Sequence, residues 1–232
     1  MISKLIFLAK NNSSIVIYIN FLSYKIISIF YKSKIKYFKK VNKQILKNKK
    51  ISNDYFSMNA FNFYKSIFDL KNTFHYLEIG SYEGNSAMFV ARNFPKAYVN
   101  CVDNWHSTED YHGQDFKIVE DNFDYNVSDF KNIKKFKINS DEFFKKNSQK
   151  FDVIYVDGYH RNDQVYKDCK NSWKFLNNNG VMICDDYFWN FYEKTENNPC
   201  FGINKFLNEI KNNFKILKVS NTQIYIKKKI QI

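Results

Sequence analysis

Between Phe151 and Asp186 the chain reads FDVIYVDGYHRNDQVYKDCKNSWKFLNNNGVMICDD, which puts Asp157 at the end of one apolar run and Asp185 and Asp186 at the end of the next. The polar segment between the runs is helix-like. Short apolar runs alternating with helical segments predict parallel strands joined by crossover helices. Neighbouring strands lie about 4.8 Å apart, so the three acids can converge at the carboxyl edge of a sheet, where open α/β sheets take ligands. Carboxylates gathered in this way repel one another unless a cation or a proton is shared among them. His160, three residues after Asp157, can titrate near neutrality and suits a general base. The plainer account of His160 is a polar residue opening the next helix.

A second constellation lies upstream. Phe74–Ile79 predicts a strand, Gly80 to Gly84 a turn, Asn85–Phe94 a helix, and Tyr98–Val102 a second strand ending at Asp103. An acid about 20 positions beyond a glycine turn is placed to accept ribose hydroxyls. NAD is a poor fit, because Tyr82 stands where the dinucleotide fingerprint needs its second glycine. Glu78, at the strand end, would repel a phosphate but attract an ammonium group. The turn therefore suits a nucleoside with a cationic amino-acid tail, which is S-adenosylmethionine (SAM). An ordinary strand–helix turn is the alternative, and the joint placement of Glu78, Gly80, Gly84 and Asp103 speaks against it.

These groups need a scaffold, and 232 residues suffice for one α/β domain and a modest appendage. The first 50 residues hold 12 lysines and no acid, whereas the remaining 182 hold 24 bases and 23 acids. The basicity belongs to the N-terminal arm, and a near-neutral body argues against nucleic acid as partner, whose grooves are met by surfaces basic throughout. The composition change predicts an arm over residues 1–52 and a catalytic domain over 53–232. Ser13–Tyr31 is apolar but interrupted by Asn20 and Lys25, short of a membrane span, and no small-residue cleavage site follows. Lys32, Lys36, Lys39, Lys43, Lys47 and Lys50 recur at helical spacing, with Ile35, Phe38, Val41 and Ile45 on another face. Such a basic amphipathic helix either lies on an anionic surface or packs on the core with its lysines solvated. The expectation is a cytoplasmic protein, with peripheral membrane contact through residues 1–50 as an open reading. Cys101, Cys169, Cys184 and Cys200 lack paired spacing and are expected as buried free thiols.

The segments YLEIGSYEGNSA, VNCVDNW, INSDEF and FDVIYVDGYH…GVMICDD, in this order, resemble the class I SAM-dependent methyltransferases. More narrowly, they resemble the metal-dependent O-methyltransferases related to catechol- and macrolide-sugar-methylating enzymes. The resemblance covers about residues 70–190. It implies a Rossmann-like α/β fold: an open, mostly parallel seven-stranded sheet with helices on both faces, completed by an antiparallel pairing near Phe214–Lys228. The pattern E-x-G-x-x-x-G-x-S is met by Glu78, Gly80, Gly84 and Ser86. By resemblance, Tyr82 and Ser86 contact the methionine part of SAM, Asp103 the ribose, and Ser140 and Asp141 the adenine. Ser140-Asp141 reads equally well as a helix cap. The resemblance also implies Mg²⁺ or another divalent ion on Asp157, Asp185 and Asp186, with His160 as base.

The implied activity is methyl transfer to a hydroxyl of a small molecule or glycan sugar. Asn162 departs from the pattern, an aromatic being usual there, whereas Val165 and Asp168 fit it, Asp168 as a structural ion-pair residue. The loops Asn104–Asp115, with His106 and His112, and Tyr187–Gly202, with Phe188 and Trp189, are expected to cap the site. Two other readings are a non-catalytic RNA- or membrane-associated module and an NAD-dependent oxidoreductase. Neither the acceptor nor the oligomeric state follows from the sequence.

Overall fold

The apolar runs form strands where their alternation with helical segments predicts them. A computed structural model describes residues 1–70, 73–109 and 113–230, so His112 lies outside the described residues. Strands β1 (Phe74–Ile79), β2 (Ala97–Asp103) and β3 (Ile133–Lys137) pair in parallel, with Phe74 opposite Ala97 and Val99 opposite Ile133. Strand β4 (Phe151–Val156) runs parallel to β5 (Leu176–Cys184). Strands β6 (Phe214–Val219) and β7 (Ile224–Lys228) form an antiparallel pair, and β7 lies antiparallel to β5. The seven-stranded sheet has the order β3-β2-β1-β4-β5-β7-β6. This is the expected Rossmann-like arrangement with its antiparallel final pairing. Strands β1 and β4 are buried at all but one position, as parallel strands covered on both faces are.

The helices are α1 (Ile2–Lys10), α2 (Ile15–Phe30), α3 (Lys32–Ile45), α4 (Ala60–Ile67), α5 (Asn85–Asn93), α6 (Phe116–Val127), α7 (Ser140–Lys146), α8 (Asn162–Phe175) and α9 (Pro199–Glu209). Two compact units divide the chain: Tyr31–Asn147, and Met1–Phe30 together with Ser148–Ile232. This division does not fall at the composition change near residue 52.

Within the 31–147 unit, α3 turns its apolar side inward. Phe38 packs on Phe61, Tyr64 and Phe89, while buried Asn42 donates to Ser57 Oγ and Asn85 Oδ1, each at 2.9 Å. Lys32, Lys36 and Lys43 are exposed on α3, whereas Lys47 and Lys50 lie beyond its end at Ile45, so the helical lysine series is shorter than expected. For α3 the packed helix with a solvated lysine face is therefore the arrangement found.

Within the other unit, α1 and α2 bury Leu8, Ile17 and Phe21. Phe7 and Phe21 pack on the Phe188 ring at 5.5 and 5.2 Å, and Ser13 Oγ meets the Tyr187 hydroxyl at 2.8 Å. All four cysteines are buried and free, as expected.

Candidate active site

The glycine turn is built by backbone conformation first. Gly80, Tyr82 and Gly84 have φ of +86°, +48° and +83°, so the chain enters the left-handed region at three of five positions. Glycine does this without a Cβ clash, whereas Tyr82 does it at a cost of about 1–3 kcal/mol that its surroundings must offset. Gly84 precedes α5, and a Cβ on it would stand 3.1 Å from Phe123 and from Val127.

Asp103, at the end of β2, braces this turn. Its Oδ2 accepts from the Ser81 and Tyr82 backbone N–H groups at 2.9 Å, and its Oδ1 from that of Trp105 at 2.8 Å. Burial raises its pKa, and these three donors work the other way. The Trp105 indole donates to the Tyr82 carbonyl at 2.9 Å, and Gln114 donates to the Tyr82 hydroxyl. Sequence reasoning assigned Asp103 to a ribose; the structure adds that it holds the turn in shape. Glu83 is also anchored: it accepts from Ser52 N and Oγ at 2.6 and 2.7 Å and from Asn122 at 2.8 Å. These bonds tie residue 52 into the same unit as the turn.

Glu78 is fully buried on β1. Its Oε2 accepts from the Tyr76 and Ser86 hydroxyls, each at 2.9 Å, while Oε1 has no hydrogen-bond partner. Burial pushes its pKa up to about 7, even though the Ser86 and Tyr76 hydroxyls pull it down. Ser86 thus holds Glu78. Ser140 and Asp141 open α7, but the cap is Asn139, whose side chain accepts from Glu142 N–H at 2.8 Å. Asn139 has the extended backbone a capping residue needs, so the cap falls one residue earlier than Ser140.

The acids of the second constellation lie in the unit that contains β4 and β5. Asp157, His160 and Asp186 each bring one ligand atom within 4.8 Å of the others. His160 Nε2 is 2.9 Å from Asp186 Oδ2. Asp185 joins this group through Tyr155. The Tyr155 hydroxyl lies 2.7 Å from Asp157 Oδ2 and also contacts Asp185 Oδ2. One hydroxyl proton cannot serve two carboxylates, so a second proton or a cation completes the arrangement. Burial, then the charges of Asp185 and Asp186, raise the Asp157 pKa well above the carboxylate range. Burial and Asp186 push Asp185 up to about 6. Gln223 from the β6–β7 hairpin donates to Asp185 Oδ2, and the Asp186 N–H donates to Oδ1 at 2.8 Å. The tight metal-type grouping therefore contains His160 alongside Asp157 and Asp186, with Asp185 drawn toward Tyr155 and Gln223.

A small pocket opens here, lined by Asp157, His160, Asp168, Asp185, Asp186 and Pro199. The Trp189 ring stands 4.7 Å from that of His160 and stacks on Phe191 at 5.3 Å, so it packs against a pocket residue without lining the pocket itself. Phe188 does not line it either, its ring anchoring Phe7 and Phe21. Asp168 is buried on α8 and accepts from Gln164 at 3.1 Å. His106 is exposed. Sequence reasoning overlooked Tyr155, Gln223, Trp105 and Asn139. Tyr155 could have been found, because a residue two before Asp157 on a strand shares its face. Gln223 reaches Asp185 only through hairpin pairing and carries no local signal.

Both constellations pass a test of fit. A buried carboxylate oxygen without a partner, Glu78 Oε1, is what an ammonium group satisfies, and the turn beside it keeps its glycines. Two carboxylates with a third acid adjoining offer oxygen donors suited to a hard divalent cation such as Mg²⁺ or Mn²⁺, with the imidazole beside them.

Residues 77–187 match the family model of a methyltransferase domain. Comparison with curated proteins finds no significant match. Among solved structures, the chain is similar to the MycE methyltransferase of mycinamycin biosynthesis, in complex with Mg, SAH and mycinamycin VI. That likeness has a TM-score of 0.56 at 15% identity and covers 76% of this chain and 51% of MycE. The chain thus spans about half the length of MycE. It is also similar to a candidate caffeoyl-CoA O-methyltransferase from Staphylococcus aureus (TM-score 0.57, 15% identity, 89% of this chain, 99% of that one). A third likeness is to the O-methyltransferase TomG from Streptomyces achromogenes in complex with SAM (TM-score 0.52, 12% identity, 69% and 75%). At these identities the structural likeness establishes the fold.

Proposed function

We propose that this methyltransferase domain transfers a methyl group from SAM to a hydroxyl of a small molecule or glycan sugar, with a divalent cation held by the acid cluster. The observation that carries the reading is the convergence of Asp157, His160 and Asp186, with Asp185 behind them, on one pocket. When bound, SAM supplies an activated methyl group and the cation a Lewis acid that lowers the pKa of an acceptor hydroxyl.

The chain's own residues supply binding and proton transfer. Glu78 pairs with the ammonium of the methionine tail, and Asp103 offers its remaining acceptor capacity to the ribose while keeping the turn rigid. Ser140 and Asp141, at the start of α7, adjoin the adenine. Asp157 and Asp186 supply anionic ligands to the cation, and Asp185 supports them through Tyr155. His160, oriented by Asp186, accepts the hydroxyl proton as the acceptor oxygen bonds to the methyl carbon and the carbon–sulfur bond breaks. Such an in-line displacement gains chiefly from alignment. The departure at Asn162 leaves the acceptor open among hydroxyl compounds.

Two binding measurements test the reading without knowledge of the acceptor. Calorimetry should detect SAM binding, and electron paramagnetic resonance should detect Mn²⁺ binding. Asp157→Asn should weaken Mn²⁺ binding by about tenfold or more and leave SAM binding intact. Failure to bind SAM would remove the methyltransferase reading. Mn²⁺ binding unchanged in Asp157→Asn would remove the metal assignment alone, as would turnover undiminished in excess chelator once an acceptor is found.

A further inference from the structure

One surface is unrelated to the pocket chemistry. On α2, the side chains of Ile15, Val16, Ile19, Leu22, Ile26, Ile27, Ile29 and Phe30 are all exposed, Ile15 and Ile29 by about seven-tenths and Phe30 by 80%. At 3.6 residues per turn they fall within an arc of about 160°, in which Ser23 is the one polar residue. Ile17 and Phe21, which are buried, lie on the opposite side. The helix is apolar inward, where it packs, and apolar outward, where it meets solvent. On α1, Ile2 and Ile6 are exposed as well. A soluble protein rarely leaves so continuous an apolar strip to water unless something covers it.

The charge around the strip selects what covers it. Residues 1–30 hold no acid and an exposed Lys10, Lys4 and Lys25 being half-buried on Asn221, and in sequence the chain continues with Lys32, Lys34 and Lys36, all exposed. Self-association through this face would bring the same patch of each copy together, lysine against lysine. An anionic bilayer matches both properties, taking up the apolar side chains while attracting the lysines. Among the described residues no single helix is long and apolar enough to cross a membrane. The 16 residues of α2 span about 24 Å, less than the roughly 30 Å hydrocarbon core. We infer that the exposed face of α2 lies in the surface of an anionic membrane and holds the protein there as a peripheral attachment.

Flotation of the full chain with phosphatidylcholine vesicles containing about 30% phosphatidylserine tests this, set against pure phosphatidylcholine vesicles. The protein should float with the anionic vesicles, and about 0.5 M salt should weaken the binding. The combined variant Ile19→Asn, Ile26→Asn and Phe30→Ser replaces exposed side chains only. It should keep the wild-type thermal midpoint and lose at least about tenfold in partitioning. Lys32→Gln, Lys34→Gln and Lys36→Gln together should weaken binding to anionic vesicles and leave the salt-resistant remainder unchanged. No flotation with anionic vesicles, or a well-folded triple apolar variant that floats like wild type, would overturn the proposal. So would a concentration-dependent dimer abolished by the apolar variant without any vesicle binding, which would assign the face to a second copy.

Discussion

Glu78→Gln separates the electrostatic role proposed for Glu78 from simple packing. Glu78 is fully buried, with two hydroxyls on one oxygen and none on the other, and its pKa lies near 7 instead of 4.5. In the unfolded chain the carboxyl ionises near 4.5, so between the two values the folded state holds the extra proton. Stability therefore falls as pH rises through this window and levels off above about 7. Linkage over that shift amounts to about 2–3 kcal/mol between pH 5 and pH 8. Glutamine preserves the shape and can still accept from Tyr76 and Ser86, but it does not titrate. Urea denaturation of the ligand-free protein at pH 5 and pH 8 should show a wild-type loss that exceeds the variant's by about that amount. The comparison with the variant is needed because Asp103, Asp157 and Asp185 are also raised and contribute with the same sign. Ionised Glu78 is also the form that attracts an ammonium, so SAM affinity should climb as pH rises through 7 in wild type and stay flat in Glu78→Gln. Equal pH slopes of stability in the two proteins would refute the buried-carboxylate reasoning. Equal SAM affinities at pH 8 would refute the ammonium pairing.

Other perturbations should follow from the same geometry. Tyr155→Phe removes the hydroxyl between Asp157 and Asp185 and should cost about 1–3 kcal/mol in urea denaturation at pH 7; an unchanged midpoint would show that the hydroxyl does not hold the acids. Gly84→Ala forces a Cβ into the left-handed region and against Phe123 and Val127, and should destabilise by about 1–3 kcal/mol, read as a lower thermal midpoint. Asn126→Ala breaks the bonds from buried Asn126 to Lys50 and to the Glu83 carbonyl and should lower stability by about 1–3 kcal/mol, measurable by the same melt. His160→Ala should lower the rate of methyl transfer about a hundredfold or more while leaving SAM affinity unchanged; a pH–rate profile identical to wild type would remove the base assignment.

Much of this protein is set by local sequence. The apolar runs and the glycine turn place β1, β2 and β4 within a residue or two of where they form, because strand burial and turn conformation are local constraints, whereas the β6–β7 pairing was implied by the family resemblance. The identity of the acids at the strand ends was legible for the same reason, since a carboxylate just past an apolar strand has to emerge at the sheet edge. What the tertiary structure alone decided is how those acids share their partners. Asp185 is claimed by Tyr155 and by Gln223, 38 residues further on, and His160 takes the place beside Asp157 and Asp186. Nor could the sequence tell α2 from α3: α3 half-buries its apolar side against its neighbours, whereas α2 leaves an apolar face exposed. Periodicity says which side chains share a face of a helix. Which face is covered depends on what the rest of the chain brings against it, and that is a non-local property.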